Sequence, residues 1–116
     1  MDSYERVLGC FYGAAIGDAM GAATETMTPQ MILDRYGAYV DQLLAPGDGT
    51  FSAGCPAGFV TDDFSLAYFT ALEILKAPDG PICDTTAQTA LINWSGHPEY
   101  FCFCFSRLYK TFEKQK

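Results

Sequence analysis

Positive charge is scarce in this sequence: 7 Lys and Arg stand against 14 Asp and Glu among 116 residues, for a net charge of −7. A surface of that sign repels a phosphate backbone, which argues against duplex nucleic acid as a partner. The 5 cysteines, Cys10, Cys55, Cys83, Cys102 and Cys104, contain no CxxC pair, so the paired spacing of structural zinc is absent and reduced thiols are the default. No apolar run approaches the roughly 20 residues of a membrane helix, and the longest stretch, around residues 7–23, is interrupted by Asp18. The opening Met1-Asp2-Ser3-Tyr4-Glu5 carries no basic leader ahead of an apolar stretch, so the expected location is the cytoplasm. Also lacking are a Walker loop, a nucleotide-binding GxGxxG after a strand, a GxSxG elbow, internal repeats and low-complexity tracts.

What is present is the composition of a globular domain, with 49% hydrophobic and 18% charged residues. The length allows one core, so residues 1–116 are expected to form a single domain. Charge is uneven along it. Residues 1–106 hold 3 basic and 13 acidic side chains, whereas 107–116 hold Arg107, Lys110, Lys114 and Lys116 against Glu113.

Hydrophobic spacing predicts an all-α fold. Val7, Leu8, Phe11, Ala14, Ala15, Ile16, Ala19 and Met20 mark a helix over Tyr4–Ala23. Gly9, Gly13, Gly17 and Gly21 recur every fourth residue within it and form one smooth ridge, open to close packing by another helix or to a ligand. Thr28 as N-cap, Pro29 at the first helical position and Gly37 at the end specify a two-turn helix. A long Gly/Pro loop, residues 45–58, precedes a third helix with Thr61 as its N-cap. Phe64, Ala67, Tyr68, Ala71, Leu72 and Leu75 share one face of that helix. A fourth is expected from Asp84 or Thr85, with Gln88 as capping partner, to Trp94, closed by Gly96 and Pro98. Beyond Pro98, Phe101, Phe105, Leu108 and Phe112 have helical spacing while Phe101, Phe103 and Phe105 alternate like a strand, and helix is the expectation. The Phe-Cys-Phe-Cys-Phe run at 101–105 needs burial, in the fold or against a second subunit.

Few residues carry obvious chemistry. Thr61, Asp62 and Asp63 place a hydroxyl beside two carboxylates at a helix start, a hard-oxygen set suited to Mg²⁺, Mn²⁺ or Ca²⁺. The same triplet also reads as an ordinary capped terminus whose acids complement the helix dipole. Asp18 lies mid-helix among apolar residues, where a carboxylate needs a partner or water, and it reads equally as a solvent-facing group or as an active-site carboxylate. Glu25, just past the helix, suits general acid or base chemistry or simple solvation. His97, the one histidine, reads as a loop residue, and Trp94 and Tyr100 as packing residues.

Taken together, Gly13-Ala14-Ala15-Ile16-Gly17-Asp18-Ala19-Met20-Gly21 with Glu25, the glycine-rich loop, and Gly58-Phe59-Val60-Thr61-Asp62-Asp63 resemble the N-terminal part of the ADP-ribosylglycohydrolase family. The likeness continues through Asn93-Trp94 and His97–Phe101, covering about residues 5–101, and leaves 102–116 as a divergent tail. It implies an all-α fold with a binuclear Mg²⁺ or Mn²⁺ centre that cleaves the glycosidic bond of ADP-ribosylated proteins or small molecules. Carried onto this sequence, Thr61, Asp62 and Asp63 match the family's first metal motif, Glu25 and Asp18 the candidate catalytic positions, and Gly17, Gly21 and Gly58 candidate substrate-binding positions.

Family members are usually more than twice as long and carry a second aspartate-rich metal motif near the C-terminus. Asp84-Thr85-Thr86 lacks the paired aspartates of that motif. The resemblance therefore implies a truncated hydrolase, a chain that completes its site as a homo-oligomer or with a complementing chain, or a non-catalytic ADP-ribose-binding or oligomerising helical module.

Overall fold

The computed structural model describes residues 2–100. Every regular element among them is helical: α1 (Ser3–Gly21), α2 (Pro29–Tyr36), α3 (Asp62–Lys76) and α4 (Asp84–Ser95), followed by a 3₁₀ turn at Pro98–Tyr100. The all-α expectation is met. None of these helices is long and apolar enough to cross a membrane. The expected helix and aromatic patch after residue 100, with Cys102 and Cys104, lie outside the described residues.

Local chemistry sets the helix ends. At the start of α1, Asp2 Oδ1 accepts from the Glu5 N–H (2.8 Å) and Glu5 Oε2 accepts from the Asp2 N–H (3.1 Å), a reciprocal capping box. The helix stops at Gly21, so Ala22 and Ala23, expected in its last turn, form a buried bend instead. α2 has its expected limits: Thr28 Oγ1 accepts from the Met31 N–H, Pro29 occupies the first turn, and Gly37 closes it at φ +74°, a value that favours glycine. The Tyr36 hydroxyl donates to the Ala23 carbonyl (3.0 Å) and so ties α2 to the bend that follows α1.

α4 departs from expectation at its first turn. Cys83, not Asp84 or Thr85, is the N-cap, and its reciprocal partner is Thr86, not Gln88. The Thr86 hydroxyl accepts from the Cys83 N–H (3.4 Å), which sets the cap one residue earlier. The glycine ridge of α1 also departs. A Cβ built at Gly9, Gly13, Gly17 or Gly21 would meet nothing within 4 Å, so no close-packed seam forms there among the described residues.

The most extensive packing joins α3 to α4. Ser65, Ala90 and Trp94 are buried at this contact, as expected for Trp94. The Trp94 indole N–H donates to Ser65 Oγ (2.9 Å), and the Ser65 hydroxyl donates to the Asp62 carbonyl (3.3 Å). The apolar face of α3 expected to form a core instead borders an open cleft of about 620 Å³ shared with α1. Tyr68 and Leu75 there remain 46% and 69% exposed. α3 meets α4 through Ser65, and meets α1 only near its start, through the Phe11–Phe64 edge contact and Asp18–Thr61, so the apolar face beyond those contacts stays open.

Ser65→Ala removes the hydroxyl that accepts from Trp94 and holds the first turn of α3. The expected loss is about 1 kcal/mol of stability, read as a lower urea midpoint with the fluorescence of Trp94, the single tryptophan, as the probe; an unchanged midpoint would refute it.

Candidate functional site

Three segments converge beside the end of α1. The last turn of α1 supplies Asp18, the bend after it supplies Glu25, and the start of α3 supplies Thr61, Asp62 and Asp63. Asp18 Oδ2 accepts from the Thr61 backbone N–H at 2.5 Å and Oδ1 accepts from the Thr61 hydroxyl at 2.6 Å, across 43 residues of sequence. Asp18 thus has the partner that a carboxylate in this setting needs.

Thr61 occupies the N-cap position of α3 with extended backbone, yet its side chain makes no capping hydrogen bond. A threonine cap ordinarily contributes about 1 kcal/mol to helix stability. That contribution is forgone here because the hydroxyl proton is directed at Asp18. Gly58, at φ +79°, turns the incoming loop toward Thr61, with Leu43 Cδ1 at 3.4 Å from where a Cβ would sit.

Glu25 sits next to a strained residue. Thr26 has φ +65°, a left-handed conformation that is costly for a β-branched side chain. Hydrogen bonds from the Thr24 N–H to the Gly21 carbonyl and from the Met27 N–H to the Thr24 carbonyl brace that bend. The strain fixes where the chain places Glu25.

Asp18, Gly21, Ala22, Glu25, Thr61 and Asp63 line a cleft of about 230 Å³. Gly17 and Gly58 lie outside this lining, and Asp62 stands half-buried beside it. Burial pushes the Glu25 carboxyl above its ordinary range, and the charges of Asp62, Asp63 and Asp18 push it further. Burial likewise raises Asp62, with Asp63 and Asp18 adding to the shift and its own backbone N–H opposing it. The ion pairs among the described residues, Lys76–Glu73 and His97–Glu99, involve none of these carboxylates. The cluster is a concentration of negative charge.

That donor set has the chemistry for a hard divalent cation, with carboxylate and hydroxyl oxygens and no soft ligand. Among the described residues, however, no group of three or more His, Cys, Asp or Glu side chains is arranged to hold a metal ion. The larger α1/α3 cleft offers no carboxylate, amine or imidazole and takes no part in this chemistry. His97 is elsewhere, with Nδ1 2.9 Å from Glu99 Oε1 and its ring 4.8 Å from that of Phe69. Tyr100 stacks on Phe59 at 5.9 Å, in keeping with its packing role.

Sequence reasoning did not reveal the Asp18–Thr61 pairing, Ala22 as a wall of the cleft, or the strained Thr26. No spacing rule connects residues 18 and 61, and an alanine or threonine in a bend carries no signal of its own.

Residues 1–112 match the family model of ADP-ribosylglycohydrolase, and the chain belongs to that family. Membership supports a hydrolase-like function at the level of the family. A relative is the uncharacterized protein YegU of Escherichia coli (strain K12), 34% identical over 94 residues that cover 78% of this chain and 27% of YegU. The chain thus spans about a quarter of that relative's length. No solved structure matches it.

Because the Glu25 carboxyl is raised in the fold, its charged form destabilises the cation-free protein at neutral pH, and that penalty vanishes as pH falls through the raised value toward the ordinary one. Glu25→Gln is therefore expected to melt slightly higher than wild type in chelator at pH 7.5, solvent screening keeping the difference small. The difference should shrink toward zero below about pH 4, the ordinary glutamate range. Differential scanning calorimetry of the two proteins across pH checks both the sign and the trend.

Proposed function

We propose that this chain carries one side of the metal-dependent site of an ADP-ribosylglycohydrolase-like hydrolase, which cleaves the glycosidic bond of ADP-ribosylated substrates. The observation that carries this reading is the convergence of Asp18, Glu25, Thr61 and Asp63 on one cleft from segments distant in sequence. The residues that hold Mg²⁺ or Mn²⁺ are Thr61, Asp62 and Asp63. When bound, a divalent pair supplies Lewis-acid polarisation and lowers the pKa of a coordinated water.

The remaining chemistry belongs to this chain's own side chains. Glu25, with its carboxyl held above the usual range, is suited to pass a proton between a carboxyl oxygen and a leaving group or water. Such transfer matters as an oxocarbenium-like state forms at the sugar. Gly21 leaves its part of the cleft wall open for a ligand to approach, whereas Gly17 and Gly58 lie outside that lining.

Calorimetric titration with Mg²⁺ and then ADP-ribose, run beside the Asp62→Ala/Asp63→Ala double variant, tests the reading. Expected is binding of ADP-ribose that requires the cation and is lost in the variant. A cation at 100 times its Kd should also add about 2.7 kcal/mol to wild-type stability. Equal binding by both proteins, or by neither, would overturn it.

A second reading, a helical module that associates without hydrolysing, draws on the open apolar cleft of α1 and α3. Light scattering decides this one. A stable monomer at micromolar concentration would exclude self-association.

A further inference from the structure

We infer that Asp18 is a positioning residue: by accepting from both donors of Thr61, it holds the Thr61 oxygen off the α3 cap and leaves its lone pairs in the cleft as a cation ligand. The cation part of this inference rests on the functional reading above. The positioning part rests on the hydrogen bonds alone.

A threonine hydroxyl has one proton and two lone pairs. At an N-cap a lone pair normally accepts from a backbone N–H of the first turn. Thr61 stands at that position, with φ −95° and ψ −168°, and makes no such bond. Its proton goes to Asp18 Oδ1 at 2.6 Å, and its N–H to Oδ2 at 2.5 Å, so the two donors fix both the rotamer and the backbone. What remains uncommitted is the acceptor side of Oγ1, and Thr61 borders the same cleft as Glu25 and Asp63.

The same geometry separates Asp18 from Glu25. Both Asp18 oxygens are engaged, so its carboxylate orients a neighbour, whereas Glu25 accepts no hydrogen bond from another element among the described residues and borders the cleft. Only a carboxylate satisfies two donors in this way. An asparagine at position 18 has one acceptor oxygen and would set its NH₂ against one of the Thr61 donors.

The test has a cation-free arm and a Mn²⁺ arm. By NMR without cation, wild-type Thr61 should show a single χ1 rotamer and a slowly exchanging hydroxyl proton, and Asp18→Asn should shift Thr61 toward the capping rotamer. A rotamer averaged in wild type, or unchanged in Asp18→Asn, overturns the positioning role whatever the cation does. By Mn²⁺ electron paramagnetic resonance, Asp18→Asn should weaken binding roughly tenfold, the usual scale for an outer partner of a ligand.

Thr61→Ser, which keeps the hydroxyl, should retain wild-type affinity, and Asp18→Asn should cost nothing further in a Thr61→Ala background. An equal loss in that background means that Asp18 acts through its own charge and refutes the inference. A wild-type chain that binds no Mn²⁺ yet shows the Asp18-dependent rotamer removes the cation role and the hydrolase reading together, and leaves the positioning role standing.

Discussion

One carboxylate joins the two halves of the site. Asp18, on the last turn of α1, accepts from both donors of Thr61, the residue that starts α3. Without that pairing nothing polar would hold the end of one helix against the beginning of the other. Only packing such as the Phe11–Phe64 edge contact would then relate Glu25 to Asp62 and Asp63. The bond also changes what each residue is. A mid-helix aspartate acquires the partner it requires, and a threonine in a capping position is released from capping.

The other anchor of α3 is its packing against α4. Trp94 and Ala90 of α4 bury Ser65, whose hydroxyl accepts from the indole and donates to the Asp62 carbonyl. The first turn of α3 is therefore fixed both by Asp18 and by packing against α4. Such support from packed neighbours gives a ligating group a defined direction.

The sequence was most legible where structure is local. Thr28, Pro29 and Gly37 delimit α2 because each acts on backbone groups within a turn of itself. The start of α4 was misjudged for a local reason as well, since Asp84, Thr85 and Thr86 all have capping chemistry and a thiol at Cys83 does not advertise it. Periodicity found the apolar face of α3 but not what it faces, so Tyr68 and Leu75 border an open cleft where a core was expected. The glycine ridge failed similarly: spacing reports that a close approach is allowed, not that a neighbour arrives. At the site, family resemblance named Glu25, Asp18, Thr61, Asp62 and Asp63, and the fold brings Asp18, Glu25, Thr61 and Asp63 to one cleft. The division of labour among them was not legible, because it depends on which donor each oxygen meets.

That division accounts for an otherwise unfavourable arrangement. Burial and mutual repulsion raise Glu25 and Asp62, a strained Thr26 follows Glu25, and Thr61 gives up its cap. Each feature costs stability in the isolated chain, and all three fall within one small region. Random imperfection would be scattered, whereas strain concentrated at one site is how a fold keeps groups poised for a ligand. In the proposed site a divalent cation would offset the repulsion among the carboxylates and take up the lone pairs left uncommitted on Thr61. On the proposed reading, stability and ligand binding are opposed in the empty site and aligned in the loaded one.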